Sequence, residues 1–275
     1  IKYMRNLFLL YFQPNNGFRK EYFPMVNWHD KMDKTVDKLK RAKVVVLTGA
    51  GISAESGLRT FRDADGLWEG HDVMEVASPQ GWARNRKLVL EFYNQRRNQA
   101  LTAKPNAGHL ALVNLERHFD VSIITQNVDN LHEQAGSTNV LHLHGELFKV
   151  RSTLDPSLVY DLEGWELNEG DVCEKGSQLR PHIVWFGEMV PMMEPAAKIT
   201  AEADIFMVVG TSLVVYPAAG LLDLVPYTTP KYIVDPHLPI KRGNPYLHLF
   251  EEPASTGVPR VRDILIQSYV KQSNT

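Results

Sequence analysis

The sequence predicts an α/β fold, a doubly wound parallel sheet carrying a small inserted lobe. Three observations predict it. Short β-branched runs alternate with helical stretches along the chain, the pattern of successive strand–helix–strand units. Those runs, such as Val44-Val45-Val46-Leu47, are apolar without a break, as strands covered on both faces are. The 275 residues are enough to bury one sizeable core, alone or with a smaller module.

Taken in order, residues 1–28 read as a poorly ordered extension. Met4-Arg5 followed by the apolar stretch Leu7 to Phe12 faintly resembles a signal peptide. Gln13-Pro14-Asn15-Asn16 offers no small-residue cleavage site, so export is not expected, and Met25 could be a natural start. Residues 29–275 read as one domain. Asp30 to Lys43 has apolar residues at helical spacing, and strands are expected at Lys43–Thr48, Val121–Thr125, Ile205–Val209 and Lys231–Val234. Helices are expected at Lys87–Leu101, Ala107–His118, Pro195–Ala203 and Pro217–Val225. The large lobe is then 29–57, 106–150 and 181–275. Two segments fall outside the alternation and make the small lobe: 58–105, polar and helical, and 151–180, loop-like around Pro156, Gly164, Gly170 and Gly176.

Composition excludes several classes. Apolar residues at 44% and charged residues at 23% are ordinary for a soluble globular protein. A net charge of −2 gives no basic field for nucleic acid. No apolar run approaches the roughly 18 residues that span a bilayer, so no membrane is expected. The single cysteine, Cys173, excludes a disulfide framework within the chain and a cysteine-only zinc site. It suits a reducing cytoplasm. A monomer is expected.

The chemistry-bearing residues follow the strands. After Lys43–Thr48 comes Gly49-x-Gly51-x-x-Ala54 before an expected helix, the setting in which a Rossmann-like sheet binds a dinucleotide pyrophosphate. A tight strand-to-helix turn without a ligand is the competing reading of this motif by itself. A dehydrogenase would show a second strand ending in Asp or Glu about 20 residues on. Leu58-Arg59-Thr60-Phe61-Arg62-Asp63 is polar instead, which disfavours hydride transfer. Gln126-Asn127-Val128-Asp129 ends another apolar strand, and Asn127 and Asp129 are expected to share a side and to bond a carboxamide; an Asx turn is the alternative. His142 and His144 are expected on opposite sides of a short extended segment, His142 as a structural residue. Gly210-Thr211-Ser212 follows a third apolar strand, and its N–H groups and hydroxyls suit phosphate or ribose.

Gly49-Ala50-Gly51-Ile52-Ser53-Ala54-Glu55-Ser56-Gly57-Leu58-Arg59-Thr60-Phe61-Arg62 resembles the sirtuin signature. Thr125-Gln126-Asn127-Val128-Asp129-Asn130-Leu131-His132 resembles the family's second motif, and Leu143-His144-Gly145-Glu146-Leu147 its third. Val184-Trp185-Phe186-Gly187-Glu188 and Gly210-Thr211-Ser212 follow in the family's order. The resemblance covers about Lys43 to Val270 and is nearest to bacterial and mitochondrial members that act on acidic acyl groups.

The resemblance implies an NAD-dependent protein-lysine deacylase, removing acetyl as well as succinyl or malonyl groups. NAD is a consumed co-substrate: the acyl oxygen attacks ribose C1′ as nicotinamide leaves, His144 deprotonates a ribose hydroxyl, and water releases lysine and O-acyl-ADP-ribose. The implied catalytic residues are His144, Asn127 and Asp129. The implied NAD site adds Gly49, Ala50, Gly51, Ile52, Ser53, Glu55, Ser56, Gly57, Thr60, Phe61, Arg62, Trp68, Gln126, Val128, Gly210, Thr211, Ser212, Asp235 and Ala254. Asp235 is a departure, since the family often has asparagine there. Val184, Phe186, Gly187 and Glu188 would pair with the peptide by strand addition. Tyr93 and Arg96, three apart on a helix, share a face and can bind a carboxylate; spacing alone reads as well as a solvated face. The resemblance makes them the acyl-pocket pair.

Three of the family's four zinc cysteines are missing. The first region reads Arg151-Ser152-Thr153-Leu154-Asp155 and the second keeps only Cys173, so the metal site is read as lost and the lobe as held by packing through Trp165 and Leu179. A mono-ADP-ribosyltransferase and a catalytically weak NAD-binding module are the alternatives.

Overall fold

The fold is taken from a computed structural model that describes residues 41–58, 67–68, 70–238 and 243–270, with the backbone alone at 67–68 and 270. The expected extension 1–28, residues 30–40 of the expected first helix, Thr60, Phe61, Arg62 and the Trp68 side chain lie outside the described residues.

Eleven strands occur among the described residues: β1 (Lys43–Thr48), β2 (Leu67–Trp68), β3 (His71–Asp72), β4 (Asp120–Thr125), β5 (Val140–His142), β6 (Gly145–Ser152), β7 (Val159–Asp161), β8 (Leu179–Ile183), β9 (Ile205–Val209), β10 (Lys231–Val234) and β11 (Leu247–Phe250). The α-helices are α1 (Gly51–Ala54), α2 (Val73–Val76), α3 (Pro79–Arg84), α4 (Arg86–Ala100), α5 (Ala107–Leu115), α6 (Leu131–Ala135), α7 (Met193–Ala201) and α8 (Ala254–Leu265).

Six strands form one parallel sheet in the order β11-β10-β9-β1-β4-β5. The unbroken apolar runs are explained by cover on both faces. Val44 and Val46 of β1 pack with Leu112 and Leu115 of α5 and Val258 and Val261 of α8. Val45 and Leu47 face the other way, toward Ala196 of α7 and Leu221. Each fully buried Val or Leu of this kind contributes about 1.5–3 kcal/mol. The chain enters at β1 in the middle, builds outward to β5, then returns to β9. Strand order therefore reverses between β1 and β9, where ligands bind at the carboxyl ends of such sheets.

Local chemistry sets several of the helices. Ser78 caps α3, taking the Gly81 N–H at 2.9 Å, with Pro79 pre-set at the first helical position. Asn106 and His109 form a reciprocal cap on α5. The Asn106 amide also reaches Ile52 O at 2.7 Å and Ser56 Oγ at 3.0 Å, tying α5 to the turn after β1. Pro217–Val225, expected as a helix, is the 3₁₀-helix Ala218–Leu224. No helix among the described residues is long and apolar enough to cross a membrane.

The inserted part differs from expectation. Residues 151–180 are not simply loop, because β7, β6 and β8 form an antiparallel sheet in that order. The expected lobe boundary at 150 falls inside β6. Strands as short as the three residues of β7, half exposed, leave no alternation to read. Leu179 packs there with Leu90, Val150 and Leu167, as expected of it, whereas Trp165 contributes its carbonyl, which accepts from Arg97.

Candidate active site

The carboxyl ends of β1, β4, β9 and β10 deliver Gly49, Gln126, Gly210 and Asp235 to one edge of the sheet. At the switch point two backbones touch. Gly49 N–H donates to Val209 O at 3.0 Å and Gly51 N–H to Gly210 O at 2.8 Å. A Cβ at Gly49 would stand 2.7 Å from Gly210 O, and one at Gly51 2.6 Å from Gly210 Cα. Gly210 itself has φ +63°, where a side chain is strained. The expected helix after the turn is α1, a single turn. Glu55 reaches across to α8, accepting from Ser255 N–H at 3.0 Å and Ser255 Oγ at 2.7 Å, next to buried Ala254. Asp235 is buried at the end of β10 and accepts from His237 N–H at 2.8 Å.

Beyond β4 the chain leaves strand geometry, so alternation does not orient Asn127 and Asp129. Ser53 does. The Asn127 amide donates to Ser53 Oγ at 3.2 Å and to Gly49 O at 3.1 Å, and Ser53 Oγ donates to Asp129 Oδ2 at 3.1 Å. The Leu131 N–H takes Asp129 Oδ1 at 3.1 Å. Burial pushes the Asp129 carboxyl above its ordinary range, against the Leu131 and Ser53 hydrogen bonds. Gln126 Nε2 donates to Thr211 Oγ1 at 3.1 Å, which joins the β4 and β9 loops.

The expected opposition of His142 and His144 needs correcting. Two residues apart in a strand means one shared side, but β5 ends at His142 and the chain bends through Leu143 and His144. Their Nδ1 atoms meet consecutive carbonyls: His142 lies 3.0 Å from Asn127 O, His144 3.0 Å from Gln126 O. A carbonyl only accepts, so each Nδ1 carries a hydrogen. On His144 this leaves Nε2 as the proton acceptor of the neutral ring. Burial lowers the His144 pKa, opposed by the Gln126 bond, and favours that neutral form. Gly145, at φ +85°, lets the chain pass the His182 carbonyl, which a Cβ would strike.

A family model described as the Sir2 family matches residues 49–217. The chain belongs to the Sir2 family. An NAD-dependent protein deacylase of Helicobacter pylori is 57% identical over 201 residues, covering 71% of this chain and 87% of its own. One of Bacteroides thetaiotaomicron is 51% identical over 228 residues, covering 81% and 97%. Among solved structures, a Sir2 homologue–NAD complex is 37% identical with TM-score 0.70, covering 90% of this chain and 95% of that one.

In the inserted lobe of this Sir2 chain, Tyr93 lies fully buried in α4, and its hydroxyl accepts from Trp185 Nε1 at 3.0 Å. Burial raises its pKa, against the Trp185 hydrogen bond. Arg96 is half-buried beside Phe92, its guanidinium 5.9 Å from that ring's centroid. In the segment after β8, Val184 N–H donates to His144 O at 2.9 Å, Phe186 N–H to Ala77 O at 3.0 Å, and Trp185 N–H to Glu188 Oε2 at 2.8 Å. Glu188 is bound to Arg180 at 2.7 Å and to Arg151 at 3.2 Å. Burial alone would raise its pKa, but Arg180 and the Trp185 N–H hold it low. Its carboxylate thus orders the segment from within.

Sequence reasoning missed the side chains that hold the site from behind. Thr48 and Thr125 end two strands in register, and Thr48 Oγ1 donates to Thr125 Oγ1 at 2.8 Å, which also accepts from Asn127 N–H at 3.0 Å. His132 Nε2 lies 3.1 Å from Thr48 Oγ1. Arg97, fully buried, donates to Trp165 O at 2.6 Å, Leu147 O at 3.3 Å and Asn94 Oδ1. Threonine at both strand ends was a readable signal. Nothing in the spacing separated Arg97 from its neighbour Arg96.

Proposed function

We propose that this Sir2 protein is an NAD-dependent protein-lysine deacylase that releases nicotinamide and O-acyl-ADP-ribose and favours dicarboxylic acyl groups. The observation that carries the reading is His144. Its Nδ1–H is fixed by the Gln126 carbonyl, so Nε2 is the base, just past β5 and next to the β4 end that carries Asn127 and Asp129. The polar side chains of Ser53, Gln126, Asn127, Asp129, Thr211 and Asp235 suit ribose hydroxyls and a carboxamide. NAD supplies the electrophilic ribose carbon and the nicotinamide leaving group. Asn127 and Asp129 orient the carboxamide, and His144 accepts the ribose hydroxyl proton in its neutral form.

For the acyl end, Tyr93 and Arg96 are the pocket pair. The Tyr93 oxygen accepts from Trp185 and keeps its own O–H to donate. Arg96 adds charge-assisted donors for a carboxylate. A peptide strand would be held through carbonyls of Val184 to Glu188, since four of that segment's N–H groups are already used.

Zinc does not fit the residues present. Ser152 Oγ accepts from Leu154 and Asp155 N–H, both at 3.1 Å, and from Cys173 Sγ at 3.4 Å. We infer a hydrogen-bonded knuckle in place of a metal, in a cytoplasmic enzyme; one zinc per chain by elemental analysis would refute the first part. The functional reading is tested by incubating the protein with NAD and one peptide carrying acetyl- or succinyl-lysine. O-acyl-ADP-ribose, formed faster from the succinyl peptide, is expected. Stable ADP-ribose on protein without deacylation would replace the reading.

A further inference from the structure

Three consecutive carbonyls of the loop after β4 are held by one segment. Gln126 O meets His144 Nδ1, Asn127 O meets His142 Nδ1, and Val128 O accepts from Leu147 N–H at 2.7 Å. Only the middle contact has a second end: His142 Nε2 lies 2.9 Å from Glu133 Oε1 on α6. Both partners of this ring are acceptors. The Asn127 carbonyl cannot donate, and neither can an ionised Glu133, so both nitrogens must carry hydrogen and the ring must be an imidazolium. We propose that His142 is a positioning residue, a protonated bridge from Glu133 to the Asn127 carbonyl that fixes the Asn127–Val128 peptide plane, and with it the path of the chain from Asn127 to Asp129.

Asn127 is otherwise held by groups that do not titrate near neutral pH: its N–H by Thr125, its amide by Gly49 and Ser53. His142 is the one titrating anchor. A neutral imidazole can serve only one of two acceptors, and the other contact then sets lone pair against lone pair. A cavity of about 210 Å³ beside the pair is lined by Asp129, Glu133, His142, Glu146, Lys149 and Asp161, the charged groups of the adjoining loop, α6, β6 and β7. Glu133 is 42% exposed at this opening while His142 is 9% exposed, so protons can reach a largely covered ring. Burial disfavours the charged ring, but the Glu133 hydrogen bond and charge outweigh it and raise the His142 pKa; Asn127 O and Glu146 add to this. Glu133 is held low by His142 against its own burial.

His142 and His144 therefore need opposite protonation states in the active protein. His144 must be neutral, which gives activity an acid limb below the ordinary histidine value. His142 must be charged, which gives a basic limb above it. The inference rests on Asn127 and Asp129 forming the nicotinamide side of the site.

The experiment measures labelled nicotinamide exchange into NAD, with acyl peptide, against pH, together with ¹⁵N shifts of the histidine rings. For the parent, an exchange rate that falls along a basic limb, an acid limb seen in deacylation turnover but not in exchange, and an imidazolium at His142 beyond its ordinary value are expected. Glu133→Gln supplies an N–H to Nε2, so a neutral His142 can keep both contacts; the basic limb should vanish with the neutral-pH rate kept within a fewfold. His142→Leu should lower the exchange rate roughly tenfold to a hundredfold, as small misplacements do, with little change in NAD affinity. A His142 ring titrating in the ordinary range overturns the bridge. A basic limb unchanged in both variants overturns the positioning role. Asn127→Ala and Asp129→Asn are run alongside: parental exchange in those two would sink the reading of the nicotinamide side instead, whatever His142 does.

Discussion

The parallel sheet and the inserted lobe are stabilised by different physics. In the sheet, β1, β9 and β10 are buried along almost their whole length, and their side chains are apolar apart from Lys43, Thr48 and Lys231. The inserted lobe has its own apolar cluster around Val89, Phe92 and Trp185, but it is cross-linked by buried ions. Arg97 joins α4 to β6 and to residue 165, with three oxygens of which none is a carboxylate. Burial pushes it down to about 10. Arg180 stacks 3.3 Å above the Trp185 ring while gripping Glu188. Apolar burial is non-directional and tolerant of exchange. Buried hydrogen-bonded charges are directional, and losing one partner strands the others. The lobe that would read the acyl group is the one built for geometry.

Four measurements would break or sharpen that contrast. The largest effect is expected on the sheet side: His144→Ala should lower turnover by about two to four orders of magnitude, the usual worth of a general base. NAD affinity by calorimetry should hold, and normal turnover would remove the assignment. Next comes Arg97→Met, which leaves buried oxygens without donors and should cost about 2–4 kcal/mol. Hydrogen exchange should show the loss in α4 and β6 and spare β1 and β9; an even loss over both regions would contradict the two-physics picture. Arg96→Met comes third, removing charge but keeping most of the stem. Desuccinylation should fall roughly ten- to a hundredfold, the equivalent of about 1.5–3 kcal/mol, and deacetylation much less. Equal losses on both substrates would make Arg96 structural.

The smallest effect per step concerns acid. His109 and His132, behind the β4 loop, have ring centroids 5.0 Å apart. Burial pushes His109 down to about 4 and His132 to about 3. Their unfolded-state value is higher, so the unfolded chain binds more protons as pH falls. The stability they contribute is full above about 6.5 and is lost on the way down to the folded values. The slope should be about 1.4 kcal/mol per pH unit for each ring. Urea midpoints that stay level from pH 7 to 5 would show that both rings are charged in the fold, and half the slope that one of them is.

The same contrast explains what the sequence made legible. β1, β9 and β10 begin and end where their apolar runs do, because burial on both faces writes a continuous signal. Asn127, Asp129 and His144 stand out in the sequence through their motifs, yet what orients them does not. Ser53 bridges the first two across 74 and 76 residues of chain, a relation that no spacing rule contains. The hydrogen bonds of the lobe's buried Arg97 are equally non-local, as with residue 165, 68 apart. β6 stayed hidden because half of it read as a motif and the other half as the loop replacing a metal site.

The contact of Gly49 and Gly51 with Gly210 has a consequence for how such a chain can change over generations. Most crowded contacts can drift, because a gain of volume on one side is matched by a loss on the other. Here each glycine meets the backbone of another glycine, Gly210, whose O would lie 2.7 Å from a Cβ at Gly49 and whose Cα would lie 2.6 Å from one at Gly51; Gly49 meets Thr211 Cβ at 2.7 Å as well. No smaller residue exists to yield the space. Every one-step path away from this contact leads through a displaced loop, and no second substitution can be waiting to repair it. Descendants can therefore exchange acyl pockets, metal sites and surface charges while the crossing of these two strand ends stays where it is.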